Sequence, residues 1–116
     1  MPDLSDQPEP LVQLQIEQLP DRALVTLVGE LDMSNAEDVQ RELTDAGIAA
    51  GDGGLEVDLT RLGFLDSAGI AALNRLHRAV PGGLRLRAGP DTVAGRTLRL
   101  AGMDQVLEIV PEDGTA

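Results

Sequence analysis

The sequence predicts an α/β fold in which one mixed sheet of four or five strands packs against about three helices. Two periodicities indicate this: apolar residues alternate with polar ones in short segments, and they recur every three or four residues in the segments between. Clusters of glycine and proline separate the segments. The predicted order is β-β-α-β-α-β-α-β, and strands that alternate with helices pair in parallel through right-handed crossovers.

The first two strands are predicted over residues 11–16 and 23–28. Apolar residues stand at 12, 14 and 16 in the first, which is the period of a half-buried strand. Residues 19–22, Leu-Pro-Asp-Arg, have the composition of a turn, so we expect these two strands to form an antiparallel hairpin.

The first helix follows Gly29-Glu30-Leu31-Asp32, where the period changes to that of a helix. Its apolar stripe is Ala36, Val39, Leu43, Ala46 and Ala50. Residues 34–37, Ser-Asn-Ala-Glu, match a capping box, in which the Ser34 oxygen accepts a backbone N–H and Glu37 reaches back to the cap.

A third strand and a second helix follow the glycines at 51–54. The strand is indicated by the alternation of Leu55, Val57 and Leu59. The helix begins at Asp66 and Ser67 and ends at residues 81–83, Pro-Gly-Gly. Its residues at helical spacing are Ile70, Leu73, Leu76, His77 and Val80.

The remaining predicted elements are a strand, a helix and a last strand. The fourth strand is indicated by Leu84, Leu86 and Ala88. The third helix opens at Pro90-Asp91 and ends at Gly102, with a stripe at Val93, Thr97, Leu98 and Ala101. Residues 106–110 form a short last strand.

Residues 11–110 are expected to form one domain between two acidic, flexible tails at 1–10 and 111–116. No segment approaches the roughly 20 apolar residues of a membrane span. The chain begins Met1-Pro2-Asp3, whereas a secretory signal begins with basic residues. We therefore expect a soluble, cytoplasmic protein.

Composition excludes several classes of function. The 116 residues carry a formal net charge of −11, which disfavours nucleic acid, since affinity for its backbone comes mainly from neutralised phosphates. The nine basic side chains are all arginine, so no lysine can form a Schiff base or a phosphate-loop contact. With no cysteine there is neither a disulfide nor a thiolate metal site, and a single Phe with no Trp or Tyr provides no base-stacking platform.

Ser67 is the best candidate nucleophile, because unpaired N–H groups at a helix start favour negative charge. A serine nucleophile needs a nearby base, and the single histidine, His77, lies ten residues along the same helix, about 15 Å away. The carboxylates are too dispersed for a metal site, and the glycine pairs at 53–54 and 82–83 lack a phosphate-loop motif. We therefore expect no catalytic residues, no metal and no cofactor.

The start of the second helix allows two interpretations. Asp66 is a good N-cap, which places Ser67 as the first helical residue with its side chain outward. Ala68 and Gly69 are small enough for another protein to approach closely. The alternative is that Asp66 and Ser67 only begin a helix.

Three segments resemble the STAS family, specifically its anti-sigma factor antagonists. Residues 62–70, Leu-Gly-Phe-Leu-Asp-Ser-Ala-Gly-Ile, followed by Leu73, are similar to the family signature, and Val28-Gly-Glu-Leu-Asp32 is similar to its turn after the second strand. The segment from Val93 to Val106 is similar to the family's C-terminal helix and last strand. The resemblance spans roughly residues 11–110 and implies a STAS-like sandwich.

The resemblance also implies partner switching. In that family the serine after the aspartate, here Ser67, is phosphorylated by a partner that is both anti-sigma factor and serine kinase. The unphosphorylated antagonist binds the kinase and frees the sigma factor, phosphorylation abolishes binding, and a serine phosphatase restores it. The implied partner surface is Glu30, Asp32, Asp66, Ser67, Ala68, Gly69 and Ile70. Ala68 departs from the family, which often has a second hydroxyl there, and a weak homodimer is a further expectation.

Charge is unevenly distributed along the chain, in agreement with a basic partner. Residues 1–70 carry 15 acidic side chains against 3 arginines, whereas residues 71–100 carry 6 arginines against Asp91. An acidic end around Asp32 and Asp66 would speed association with a basic protein. The main alternative is a STAS docking module of a lipid-transport or stress-sensing complex without obligatory phosphorylation. An enzyme is a weaker alternative because no acid–base pair can be assembled from the residues present. A nucleotide-binding protein is another alternative, for which the sequence has no motif.

Overall fold

The computed structural model describes residues 11–111, so the predicted tails lie outside it apart from Pro111. Five strands and three helices are present in this part of the chain. They are β1 (Val12–Gln18), β2 (Ala23–Leu31), α1 (Ala36–Ala50), β3 (Leu55–Leu65), α2 (Ser67–Ala79), β4 (Leu84–Arg87), α3 (Val93–Leu100) and β5 (Glu108–Val110). Two 3-10 turns, Gly51–Gly53 and Met103–Gln105, lie between them. The predicted α/β class and element order are confirmed.

The strands form one mixed sheet in the order β1-β2-β3-β4-β5. β1 pairs with β2 antiparallel, as the predicted hairpin requires, and the turn between them closes with a 2.8 Å bond from the Leu19 N–H to the Arg22 carbonyl. The other neighbouring pairs are parallel, each joined through a helix. This arrangement brings the carboxyl ends of β2 and β3 together at one edge of the sheet.

The core lies between the helices and one face of the sheet. Successive side chains of a strand point to opposite faces, and the residues facing the core are almost all aliphatic. On the central strands they include Ala23, Val25, Leu27, Leu55, Val57, Leu59, Leu84 and Leu86. The first four residues of the predicted α1 stripe are buried. Leu73 and Leu76 of α2 and its C-cap, Val80, are buried too. Within residues 11–111, no helix is long and apolar enough to cross a membrane.

β3 is longer than the alternation of its first residues predicts, because it follows β2 to Leu31. Its register against β2 shifts twice, between Thr26 and Val28 and between Gly29 and Glu30. Gly29 has φ +120°, and a Cβ there would lie 2.1 Å from the Leu11 carbonyl oxygen, so this close approach of β1 to β2 requires glycine.

The predicted capping box is wrong. The N-cap of α1 is Asn35, with no side-chain cap bond, and the Ser34 hydroxyl instead donates to Asp32 Oδ1 at 2.6 Å. α1 begins one residue later than a capping box at Ser34 requires, so Ser34 lies before the N-cap and its hydroxyl serves the turn rather than the helix. Glu37 lies in the first turn of α1 and is exposed.

The C-terminal elements differ in detail from the predictions. The N-cap of α3 is Thr92 rather than Pro90-Asp91, and its hydroxyl accepts a 3.0 Å bond from the Gly95 N–H. The buried face of α3 is Ala94, Gly95 and Leu98, which leaves Val93 and Ala101 exposed. The last strand is shorter than predicted, because residues 103–105 form a 3-10 turn and pairing with β4 begins at Glu108.

Candidate functional site

The candidate site lies where β2 and β3 end. Leu31 and Leu65 are paired at the ends of these strands, so the β2–α1 loop, residues 32–35, and the start of α2 are neighbours. The Asp66 N–H donates to the Leu31 carbonyl at 3.3 Å, which extends the contact by one residue. The parallel pairing thus brings together two segments more than 30 residues apart in the sequence.

The Asp66 carboxylate joins these two segments. Its Oδ1 accepts a 2.9 Å bond from the Gly69 N–H, as expected for the N-cap of α2. Its Oδ2 accepts a 3.2 Å bond from the N–H of Met33, in the β2–α1 loop. One side chain therefore caps the helix and holds the loop against it, and the predicted capping role of Asp66 is confirmed.

The β2–α1 loop is held by its own polar side chains. Asp32 Oδ1 accepts from the Ser34 N–H at 2.9 Å and from the Ser34 hydroxyl. The Asn35 amide accepts from the Asp32 N–H at 3.0 Å and donates to the Glu30 carbonyl at 2.9 Å. Asp32 is half-buried and Glu30 exposed. The loop thus places Asp32 next to Met33, whose N–H contacts Asp66, whereas Glu30 lies in β2, paired with Phe64.

Ser67 is the first residue of α2, and its side chain is exposed. Within residues 11–111 its hydroxyl forms no hydrogen bond, in contrast to Ser34, whose hydroxyl is bonded to Asp32. Two predictions about Ser67, its position in the helix and its outward direction, are confirmed. His77 is in the last turn of the same helix, so it is not beside Ser67.

Ala68, Gly69 and Ile70 contribute unequally to the surface. Ala68 and Ile70 are partly buried against the core, whereas Gly69 is buried. A Cβ on Gly69 would lie 2.7 Å from Leu65 Cδ1 and 3.0 Å from Leu31 Cγ. The small size of Gly69 therefore allows packing within the chain, and the expectation that it allows the approach of another protein is wrong.

Two exposed apolar residues at this edge were not among the predicted site residues. Met33, in the β2–α1 loop, is 82% exposed, and Phe64, paired with Glu30 across the strands, is 46% exposed. Periodicity could not reveal them, because Met33 is in a turn and Phe64 follows a register shift. The available signals were a large apolar residue in a polar turn, Asp-Met-Ser, and the chain's single aromatic residue two positions before Asp66.

The charges at this edge are not neutralised within the described part of the chain. None of the ion pairs among residues 11–111 involves Glu30, Asp32 or Asp66. The same residues contain no group of three or more His, Cys, Asp or Glu side chains that could hold a metal ion. The site therefore combines an exposed hydroxyl, carboxylates without an ion pair among residues 11–111, and exposed apolar side chains.

Comparison with known proteins identifies relatives of this arrangement. The family described as "Mlab, STAS domain" matches residues 14–111. A search of curated proteins finds no match to the sequence. Several solved structures are similar in fold. Their sequence identity to this chain is low, so the similarity concerns the fold alone.

Three of these structures illustrate the similarity. An anti-sigma factor antagonist from Mycobacterium paratuberculosis is 21% identical, with a TM-score of 0.73 and 84% of each chain covered. A putative anti-sigma factor antagonist from Thermotoga maritima is 21% identical, with a TM-score of 0.65, covering 83% of this chain and 84% of that one. The phosphorylated form of the Bacillus cell-fate determinant SpoIIAA is 19% identical, with a TM-score of 0.57, covering 87% and 94%.

Proposed function

The chain belongs to the STAS domain family, and we propose that it is an anti-sigma factor antagonist switched by phosphorylation of Ser67. The unphosphorylated form binds an anti-sigma factor that is also a serine kinase, and this binding frees the sigma factor. Phosphorylation of Ser67 ends the binding, and a serine phosphatase restores it. The observation that carries the proposal is the exposed Ser67 hydroxyl, unbonded within the described residues, at the start of α2.

The surroundings of Ser67 suit a kinase substrate. An exposed hydroxyl without an internal partner can enter a kinase active site with no loss of stabilising contacts. The neighbouring Glu30, Asp32 and Asp66 carry no internal ion pair among residues 11–111, so they are free to attract a basic protein. Met33 and Phe64 add exposed apolar area of the kind that interface centres use.

One phosphate on Ser67 is enough to end binding. Phosphorylation adds about −1.5 to −2 charges to Ser67. A partner fitted to a neutral hydroxyl must desolvate the phosphate and accommodate the added group, and a carboxylate of the partner about 6 Å away would add a repulsion of roughly 1–3 kcal/mol. Together these correspond to a loss of affinity of about tenfold to a thousandfold.

The fold itself would tolerate the phosphate. Ser67 is at the N-terminal end of α2, where backbone N–H groups and the helix dipole favour negative charge. The switch therefore acts on the interface and not on the domain. Because the reaction consumes ATP inside the cell, the proposal also implies a cytoplasmic protein that is a substrate and ligand of enzymes rather than an enzyme.

The test compares two serines of the same edge. The protein, Ser67→Ala and Ser34→Ala are each incubated with ATP and an anti-sigma factor kinase from the same organism, then analysed by intact mass and by native gel. We expect one added phosphate on the wild type and on Ser34→Ala, and none on Ser67→Ala, which stays bound to the kinase. Equal phosphorylation of Ser67→Ala and wild type contradicts the assignment.

A second candidate is a STAS docking module of a lipid-transport or stress-sensing complex. The exposed side chains of Met33 and Phe64 favour it, because apolar contacts can hold a partner whatever the state of Ser67. Ser67→Asp separates the two functions. Partner switching predicts that this variant loses its partner, whereas a constitutive docking module predicts that it keeps the partner and that Met33→Ala weakens binding.

A further inference from the structure

The outer side of β1 has hydrogen-bonding groups that no described strand uses. β1 is an edge strand within residues 11–111, paired with β2 alone. The Glu30 N–H donates to the Leu11 carbonyl at 2.8 Å, which places the odd-numbered residues of β1 in the bonded pairs with β2. The N–H and C=O groups of Val12, Leu14 and Ile16 therefore point away from the sheet.

The β1 edge of the sheet lacks the features that usually prevent pairing with a further strand. Edge strands are commonly protected by lysine, proline or a β-bulge. β1 has the sequence Val-Gln-Leu-Gln-Ile-Glu-Gln, with neither lysine nor proline, and its seven pairs with β2 run without a register shift. Its one charged residue is Glu17, which follows Val12, Leu14 and Ile16. Within residues 11–111 the outer side of β1 is therefore open to another strand.

A groove beside this edge indicates which chemistry a strand would need. It lies between β1 and α1, has a volume of about 330 Å³, and is lined by apolar Leu11, Val12, Leu14 and Val39 and by polar Ser34, Asn35, Asp38 and Glu42. Val12 and Leu14 are half-buried. The lining contains two carboxylates and no basic side chain.

The two carboxylates are free to interact with a cation. Glu42 is exposed and has no ion pair within the described residues. Asp38 has an ion pair with Arg41 at 3.2 Å, in which both side chains are at least 65% exposed. Such an exposed pair contributes little and can rearrange when a new cation arrives.

We propose that β1 and this groove bind an extended, basic segment of another protein by strand addition. Main-chain bonds form with Val12, Leu14 and Ile16, one apolar side chain of the segment enters the groove, and the residues two positions to either side are basic and meet Asp38 and Glu42. Pairing of β1 with β1 of a second copy is disfavoured, because it would place the acidic α1 helices of two strongly acidic chains on the same face of the joined sheet.

The probe is a labelled peptide, Thr-Arg-Thr-Val-Thr-Arg-Thr, whose valine and arginines share one face of an extended chain. Its binding is measured by fluorescence anisotropy, and amide hydrogen exchange is followed by NMR. We expect exchange to slow at Val12, Leu14 and Ile16, with little change at Gln13 and Gln15, whose N–H groups already face β2. This alternation distinguishes strand addition from nonspecific attraction to an acidic protein.

Two charge-reversal variants on α1 provide the matched control. Glu42→Arg should weaken binding of the peptide by about fivefold, because it replaces an attraction between exposed charges with a repulsion. Glu37→Arg changes the net charge by the same amount, but Glu37 is on the side of α1 that carries Gln40 and Arg41, outside the groove. This variant should change the affinity for the peptide by less than twofold. Both residues are exposed, so neither variant should affect folding.

Several results would overturn the proposal. One is that Glu42→Arg and Glu37→Arg weaken peptide binding equally. Another is that a peptide with proline in place of valine binds as tightly as the original. A third is that amide exchange slows at odd- and even-numbered residues of β1 alike. A free protein that sediments as a dimer with Val12 and Leu14 already protected would identify a second copy as the occupant instead. None of these results depends on Ser67, so the proposal stands or fails separately from the phosphorylation switch.

Discussion

Two carboxylates, Glu56 in β3 and Asp66 directly after β3, are held in opposite ways. Glu56 is 3% exposed on the sheet face away from the aliphatic core, where it lies 3.6 Å from Arg22 and bonds to Arg87 Nη2. Asp66 is partly exposed at the carboxyl edge, where its partners are two backbone N–H groups. Glu56 is thus neutralised by side chains of the chain, and Asp66 is not.

This difference separates a polar cluster that is neutralised within the fold from the candidate functional site. Glu56 is paired with two arginines of its own chain, so its charge is not left unpaired for a partner. At Asp66 the carboxylate fixes the backbone around Ser67 but keeps its negative charge, as do Asp32 and Glu30 nearby. The free hydroxyl is therefore presented on a rigid frame whose charge is available to another protein.

The largest effect is expected at Glu56. Glu56→Ala leaves Arg22 and Arg87 without their shared counter-ion, and we expect a loss of about 2–4 kcal/mol in the free energy of unfolding. The value is below that of a fully buried pair because the two arginine side chains are 33% and 26% exposed and can reach water. Urea denaturation measures it.

The matched control is Glu108→Ala, at the neighbouring pair with Arg85. That pair is 2.5 Å long but exposed, at 52% and 56%, and we expect a loss of less than about 1 kcal/mol. Its hydrogen bond raises the pKa of Arg85, which leaves the arginine charged at any pH used for denaturation. Similar losses from the two variants would remove the distinction between the buried and the exposed cluster.

Asp66→Ala should come next. It removes the cap of α2 and the bond to Met33, and we expect a loss of about 1–2 kcal/mol in the free energy of unfolding, with faster amide exchange in the β2–α1 loop. Asp66→Asn retains an oxygen for the Gly69 N–H and should recover part of the loss. If Asp66→Ala leaves loop exchange unchanged, the carboxylate does not hold the loop.

Gly69→Ala should be destabilising by about 0.5–2 kcal/mol. Alanine favours a helix by up to about 1 kcal/mol over glycine, but the added Cβ would approach Leu65 and Leu31 to 3.0 Å or less. Gly63→Ala is the control, because its Cβ would meet nothing nearer than the Gly29 carbonyl oxygen at 3.8 Å. Equal thermal midpoints for the two variants would contradict the tight packing of Gly69.

The sequence predicted those features that depend on local periodicity. The alternation in β2 and the stripes of α1 and α2 are local patterns, and the Asp66 cap depends only on the following turn. The features that were missed depend on contacts between distant segments. Local sequence favours Ser34 as a cap because it does not show the bonds within the 32–35 turn, and the exposure of Phe64 follows a register shift set by pairing with β2.

Ser67→Asp should have the smallest effect on stability, within about 0.5 kcal/mol of wild type. The Ser67 hydroxyl makes no bond that the substitution could break within residues 11–111, and the start of α2 favours the new charge, which offsets repulsion from Asp66. Ser34→Asp is the matched variant: it removes the 2.6 Å bond to Asp32 and places two carboxylates together, so its thermal midpoint should fall further. If Ser67→Asp instead melts as low as Asp66→Ala, Ser67 supports the helix start, and a phosphate there would change the fold rather than the interface.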